Sequence, residues 1–178
     1  MHPRQQRGFT YIGLLIFLAI LGVASALTVT VGSLLQRRAN EAELLFIGAQ
    51  YAAAFRSFYE ATPVGQRQFP ARIQDLLRDP RYPGIKRHLR KIYVDPISGS
   101  EEWGLVAAPG GGFVGIYSLS KRAPIKIAGF GAQFALLAGK KSYSEWVFGF
   151  VPPGGVVPVG KVTQPGAGQE AAAPPEGN

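Results

Sequence analysis

No charged residue occurs between Phe9 and Gln36, and that single feature restricts most of what this chain can become. Coiled as a helix at ~1.5 Å per residue, the run from Phe9 to Leu35 reaches ~40 Å. That exceeds the ~30 Å hydrocarbon core of a bilayer, so the segment can cross a membrane and still project from it. A secretory signal peptide is the first rival, but its apolar part runs only ~7–15 residues and closes on a small-x-small cleavage site. Here the run is longer, continuing without a charge to Leu35. The segment is expected to stay with the protein as a single-pass anchor. Arg4 and Arg7 precede it, whereas Arg37 and Arg38 follow it and are offset by Glu41 and Glu43. Counting Lys and Arg alone makes the orientation a near tie. The short N-terminal side is expected in the cytoplasm.

The helical period continues past Gln36. Leu44, Ile47, Tyr51, Phe55 and Phe58 recur at three- and four-residue steps, with Arg56 and Glu60 on other faces. The run ends near Thr62-Pro63, because the residue before proline resists helical angles. One helix from about Phe9 to Ala61 is therefore expected, apolar all round in its first half and amphipathic in its second. The absence of a flexible linker at Gln36 argues against an anchor tethered to an independent domain.

Beyond the helix, Phe69 to Leu77 reads as a short helix with Pro70 near its first turn. Arg78 to Gly84 is turn-rich, and Ile85 to Tyr93 is basic, with Lys86, Arg87, Arg90 and Lys91. A turn at Asp95 to Gly99 leads to a strand from Trp103 to Ala107. Pro109-Gly110-Gly111-Gly112 then signals a hairpin into a strand from Phe113 to Leu119. A further strand is expected around Pro124 to Ala128, and a last one from Tyr143 to Val151 with Trp146, Phe148 and Phe150 on its core side. The fold class is α+β: a long N-terminal helix packed on a three- or four-stranded antiparallel sheet. Residues 152–178, rich in Pro, Gly and Ala, are expected to form a flexible tail.

Candidate chemistry is sparse. There are no cysteines, hence no disulfides and no Cys-based zinc site, and the two histidines, His2 and His88, lie far apart. Gly110-Gly111-Gly112 lacks the following Lys-Ser/Thr and helix of a phosphate loop. No catalytic residue, metal or cofactor is assigned, and the chain is not read as an enzyme. The net charge of +8 and pI near 10 would suit nucleic acid or an anionic lipid surface. The basic stretch 78–91 reads better as a solvated face or a contact to acidic neighbours or headgroups, and nucleic acid is not the expected partner. Asp95, Ser98, Glu101 and Glu102 form a loose oxygen cluster, read here as a solvated turn.

The junction Arg7-Gly8-Phe9-Thr10-Tyr11-Ile12-Gly13-Leu14-Leu15 resembles the cleavage and methylation motif of type IV pilins and type II secretion pseudopilins. The resemblance implies a leader at 1–8 with Arg4 and Arg7 as its basic residues. It also implies cutting between Gly8 and Phe9 by prepilin peptidase, and N-methylation of Phe9. The family usually carries Glu at the fifth mature position, here Gly13, where the carboxylate meets the N-terminal amine of a neighbouring subunit. A buried charge needs such a partner, so Gly13 points to a minor or specialised subunit, or to a family that assembles differently. Further along, Leu89-Arg90-Lys91-Ile92-Tyr93-Val94-Asp95-Pro96, Trp103-Gly104-Leu105 and Tyr117-Ser118-Leu119-Ser120 resemble the head of major pseudopilins. Together these stretches extend the resemblance over about two thirds of the chain. The loop that helps bind calcium in those proteins is here Ser120-Lys121-Arg122-Ala123-Pro124, with cations where oxygen ligands are needed, so no calcium site is carried over.

The resemblance implies a pilin-like fold: a stalk helix at 9–35 and a globular head at 36–151 that includes the distal half of the helix. It implies a single-pass protein of the bacterial inner membrane with a periplasmic head. Its partners would be the lipid bilayer, prepilin peptidase, other pseudopilins in a periplasmic filament, and a platform protein driven by an ATPase. The filament would help move folded proteins to the outer membrane. A minor type IV pilin of a pilus or DNA-uptake system is the alternative, and a DNA-binding or catalytic signal-anchored protein a further one.

Overall fold

The computed structural model describes residues 7–63, 65–154 and 161–163; within these, the side chains of 7–10, 23–31 and 161–163 lie outside the description. The chain divides into two compact units, Met1–Ala39 and Asn40–Asn178. Helix α1 spans Arg7–Glu60, with Gly22 to Gly32 helical. Among the described residues no helix is long and apolar enough to cross a membrane. The side chains described within 9–35 are those of 11–22 and 32–35.

In the first unit, every large apolar side chain from Tyr11 to Leu21 is exposed, between 46% at Leu21 and 64% at Tyr11. In the second unit the pattern changes. Leu44, Ile47, Tyr51, Ala54, Phe55 and Phe58 are buried, at the period expected of an amphipathic helix face. They meet a four-stranded antiparallel sheet in the order β3-β2-β1-β4, formed by β1 (Gly104–Ala107), β2 (Phe113–Tyr117), β3 (Val147–Gly149) and β4 (Lys161–Thr163).

The β1–β2 hairpin turns on Gly110, Gly111 and Gly112, all at positive φ, a conformation that costs glycine little. At Gly112 a Cβ would also strike the carbonyls of Phe69 and Pro70. Leu105 pairs with Ile116, and both are fully buried. Helix and sheet approach closely at Gly48, where a Cβ would overlap the Phe148 ring. Around that contact Trp146 packs edge-on against Tyr143 and Phe130, with centroids 5.2 and 5.4 Å away. Tyr51 lies 5.6 Å from Trp103, and its hydroxyl accepts the Tyr93 N–H. Burial, with smaller contributions from Tyr93 and Glu101, pushes that phenol up to about 12 despite this hydrogen bond.

Several expectations need correction. Between Phe69 and Leu77 only a 3-10 turn forms, Ile73–Leu76, because the Pro70 carbonyl is taken by the Phe113 N–H of the hairpin. No strand forms around Pro124 to Ala128, since the Ile125 and Lys126 N–H groups are taken by a side chain of α1. The last segment opens as a 3-10 turn, Tyr143–Glu145, before β3; Trp146, Phe148 and Phe150 are nonetheless all buried. Within the expected tail, Lys161–Thr163 pairs with β1, with Val162 opposite Leu105. The other residues of 155–178 lie outside the described set.

Candidate functional site

The residues singled out in the sequence fall at the start of α1. Arg4 lies outside the described residues, and Arg7, Gly8 and Phe9 are its first helical positions. The Gly8–Phe9 bond therefore sits in the first turn, where backbone N–H groups have no acceptor within the helix. Gly13 is helical, and nothing lies within 4 Å of where its Cβ would stand, so packing inside the chain does not require glycine there.

Four carboxylates described in the second unit are buried, and none was legible as a site: Asp75 accepts the Arg72 N–H of its own 3-10 turn at 3.0 Å, and the other three are Glu41, Asp95 and Asp79. Glu41, 4% exposed, heads the apolar stripe of α1 one turn before Leu44. Its carboxylate accepts the Tyr143 hydroxyl at 2.7 Å and the Lys126 N–H at 3.2 Å, together with the Ile125 N–H. An acid at the head of an apolar stripe was the available signal.

Asp95 is fully buried rather than solvated. It accepts the Ile97 N–H at 2.9 Å and the hydroxyls of Ser98 and Ser118 at 2.8 and 2.6 Å. The carboxylate is saturated by its own turn and the residue after β2, as buried polar groups require. Among the described residues no group of three or more His, Cys, Asp or Glu side chains is placed to hold a metal ion.

Asp79, also fully buried, receives two bonds from the Arg81 guanidinium, at 2.8 and 2.6 Å, and the Arg81 N–H at 3.0 Å. His88 Nε2 lies 3.0 Å from the same carboxylate, and His88 Nδ1 lies 2.8 Å from Ser57 Oγ on α1. The tautomer that satisfies both has Nε2–H donating to Asp79 and Nδ1 accepting from Ser57. This order of Ser, His and Asp could polarise the Ser57 hydroxyl. However, Ser57 sits within α1, where backbone N–H groups are committed to the helix and cannot face a developing oxyanion. Arg81 also donates to the Phe58 carbonyl at 2.8 Å and stacks on the Phe58 ring, with Cζ 3.7 Å from its centroid. The cluster thus clamps segment 79–88 onto the end of α1.

Burial alone would raise the Asp79 carboxyl, but the side-chain and backbone bonds from Arg81, with His88, outweigh it and hold the group at about 2, against an ordinary 3.8. A depressed carboxyl contributes stability that is complete above its ordinary value and disappears as pH falls through the folded one. Asp79→Asn should therefore cost about 2 kcal/mol near neutrality. It should also flatten the loss of stability between about pH 4 and pH 2. Denaturant titrations across that range check both.

Against known proteins, no family model, no curated protein and no solved structure matches the chain.

Proposed function

We propose that this chain is a pseudopilin-like filament subunit: anchored in the inner membrane by residues 9–35, processed at Gly8–Phe9, and assembled through its helix with other subunits. The observation that carries this reading is the change of character along one unbroken helix. Its first part is apolar in sequence, and its large apolar side chains from Tyr11 to Leu21 are all exposed, which suits lipid or neighbouring apolar helices. Its last part is the central element of a small α+β unit. The leader-like Arg7-Gly8-Phe9 stands where that helix begins.

In this reading the bilayer enforces helicity at the β-branched stretch Thr28-Val29-Thr30-Val31, because backbone groups in lipid must be bonded internally. Prepilin peptidase removes residues 1–8, and a platform protein with its cytoplasmic ATPase adds the mature chain to a periplasmic filament that moves folded proteins. Gly13 in place of Glu supports a minor or specialised position. Catalysis is not part of the proposal, since the Ser57–His88–Asp79 array serves as a clamp.

Intact mass of the protein, expressed with and without prepilin peptidase, tests the reading. The mature chain should begin at Phe9 and carry one methyl group. A mature N-terminus well downstream of Leu35 would overturn it.

A further inference from the structure

From Trp103 to Ser144 the chain contains no Asp or Glu, yet it carries Lys121, Arg122, Lys126, Lys140 and Lys141. Backbone bonds fold this stretch into a closed loop. Ser144 N–H donates to the Ser120 carbonyl at 3.0 Å, Tyr143 N–H to Arg122 at 3.1 Å, and Gly139 N–H to Ile127 at 3.0 Å. The two arms that carry Lys121-Arg122 and Lys140-Lys141 are thereby brought side by side. Glu41 fixes the loop from beneath through Ile125, Lys126 and Tyr143.

The loop's aromatic residues face the core: Phe130 packs on Trp146, and Phe134 on Phe148 at 5.9 Å. What remains outside is five exposed cations with two large aliphatic side chains, Ile127 at 64% and Leu136 at 79% exposure. Lys126 lies over Phe130, 5.1 Å from its centroid, and no ion pair among the described residues engages any of the five. Glu145, the nearest acid along the chain, accepts from Ser142.

We propose that this loop docks on the surface of an anionic bilayer, with Ile127 and Leu136 entering the headgroup region and the cations meeting lipid phosphates. Exposed, mainly lysine point charges suit the diffuse field of an anionic leaflet. Protruding aliphatics suit the acyl boundary. Single-stranded nucleic acid would instead be met by outward aromatic platforms, and Phe130 and Phe134 are turned away. The inference rests on the proposed anchor, which keeps the chain beside such a surface.

The chain has no native cysteine, so an introduced one reports alone. The full chain, carrying either Leu136→Cys or Leu18→Cys labelled with an environment-sensitive fluorophore, is reconstituted in neutral and in phosphatidylglycerol-containing vesicles. The Leu18 probe should be quenched by brominated lipid in both. The Leu136 probe should be quenched only in the anionic vesicles and released by high salt. Each basic residue near an anionic surface should favour docking about fivefold, so Lys140→Gln with Lys141→Gln should weaken it about 25-fold. A Leu136 probe indifferent to lipid charge, beside a shielded Leu18 probe, would overturn the loop inference alone. An exposed Leu18 probe would overturn the anchor, leaving the Leu136 response to decide the loop. A Leu136 response to single-stranded DNA in place of lipid would overturn it in favour of nucleic acid.

Discussion

Under the proposed processing, chains carrying Gly8→Val should keep residues 1–8. Glycine at the proposed cleavage position would let the backbone enter a confined active site without a side chain to clash, and it adopts extended or turned conformations readily. The bond lies in the first turn of α1, which must open before a peptidase can grip it. Valine adds bulk at the cut, so cleavage should fall from near completion to nothing detectable. In cells that hold prepilin peptidase, intact mass should show the variant at full length and unmethylated, while the unaltered chain begins at Phe9. Gly8→Ala should be intermediate. Efficient removal of residues 1–8 from the valine variant would show that the Arg7-Gly8-Phe9 pattern is not read in this way.

Glu41→Ala should destabilise the second unit by about 2–5 kcal/mol, because it strands the buried donors that its carboxylate accepts. The Tyr143 hydroxyl and the Ile125 and Lys126 N–H groups would each lose a charged acceptor. Every buried donor left unpaired costs about 1–3 kcal/mol. Domains of this kind are stable by only about 5–15 kcal/mol in all, so the variant should approach the folding threshold. Glu41→Gln retains one acceptor oxygen and should lose less. Tyr143→Phe combined with Glu41→Ala should cost less than the sum of the two, since the pair shares one bond. Denaturant unfolding measures these differences, and a loss below about 1 kcal/mol for Glu41→Ala would contradict the anchoring role.

The extent of α1 and the core face of the last strand could be read from periodicity, because each depends on side chains whose spacing repeats within one element, and the hairpin could be read from its Pro-Gly-Gly-Gly turn. Leu44, Ile47, Tyr51, Phe55 and Phe58 announce their shared face by number alone. The buried carboxylates could not be read so directly. Glu41 finds its partners 84 to 102 positions away, and Asp95 finds Ser118 across 23. Nothing local marks such pairings. The expected strand near Pro124 failed for the same reason, since its N–H groups turn to Glu41 and not to a neighbouring strand. His88 reads in sequence as one residue of a basic stretch. Its burial between Ser57 and Asp79 follows from segment 79–88 folding back on α1.

The β1–β4 pairing has a bearing on how the chain folds and what happens when it is cut short. Gly104–Val106 pairs with Lys161–Thr163 across β2, β3 and the loop between them, so this ladder closes over a long contour. Contacts of such separation form slowly. Until they form, the outer edge of β1 presents unpaired N–H and C=O groups to any other extended chain. A C-terminal truncation before Lys161 would make that transient state permanent. The sheet would then offer an open edge to a second copy, and self-association through strand addition, not loss of the core, would be its first symptom.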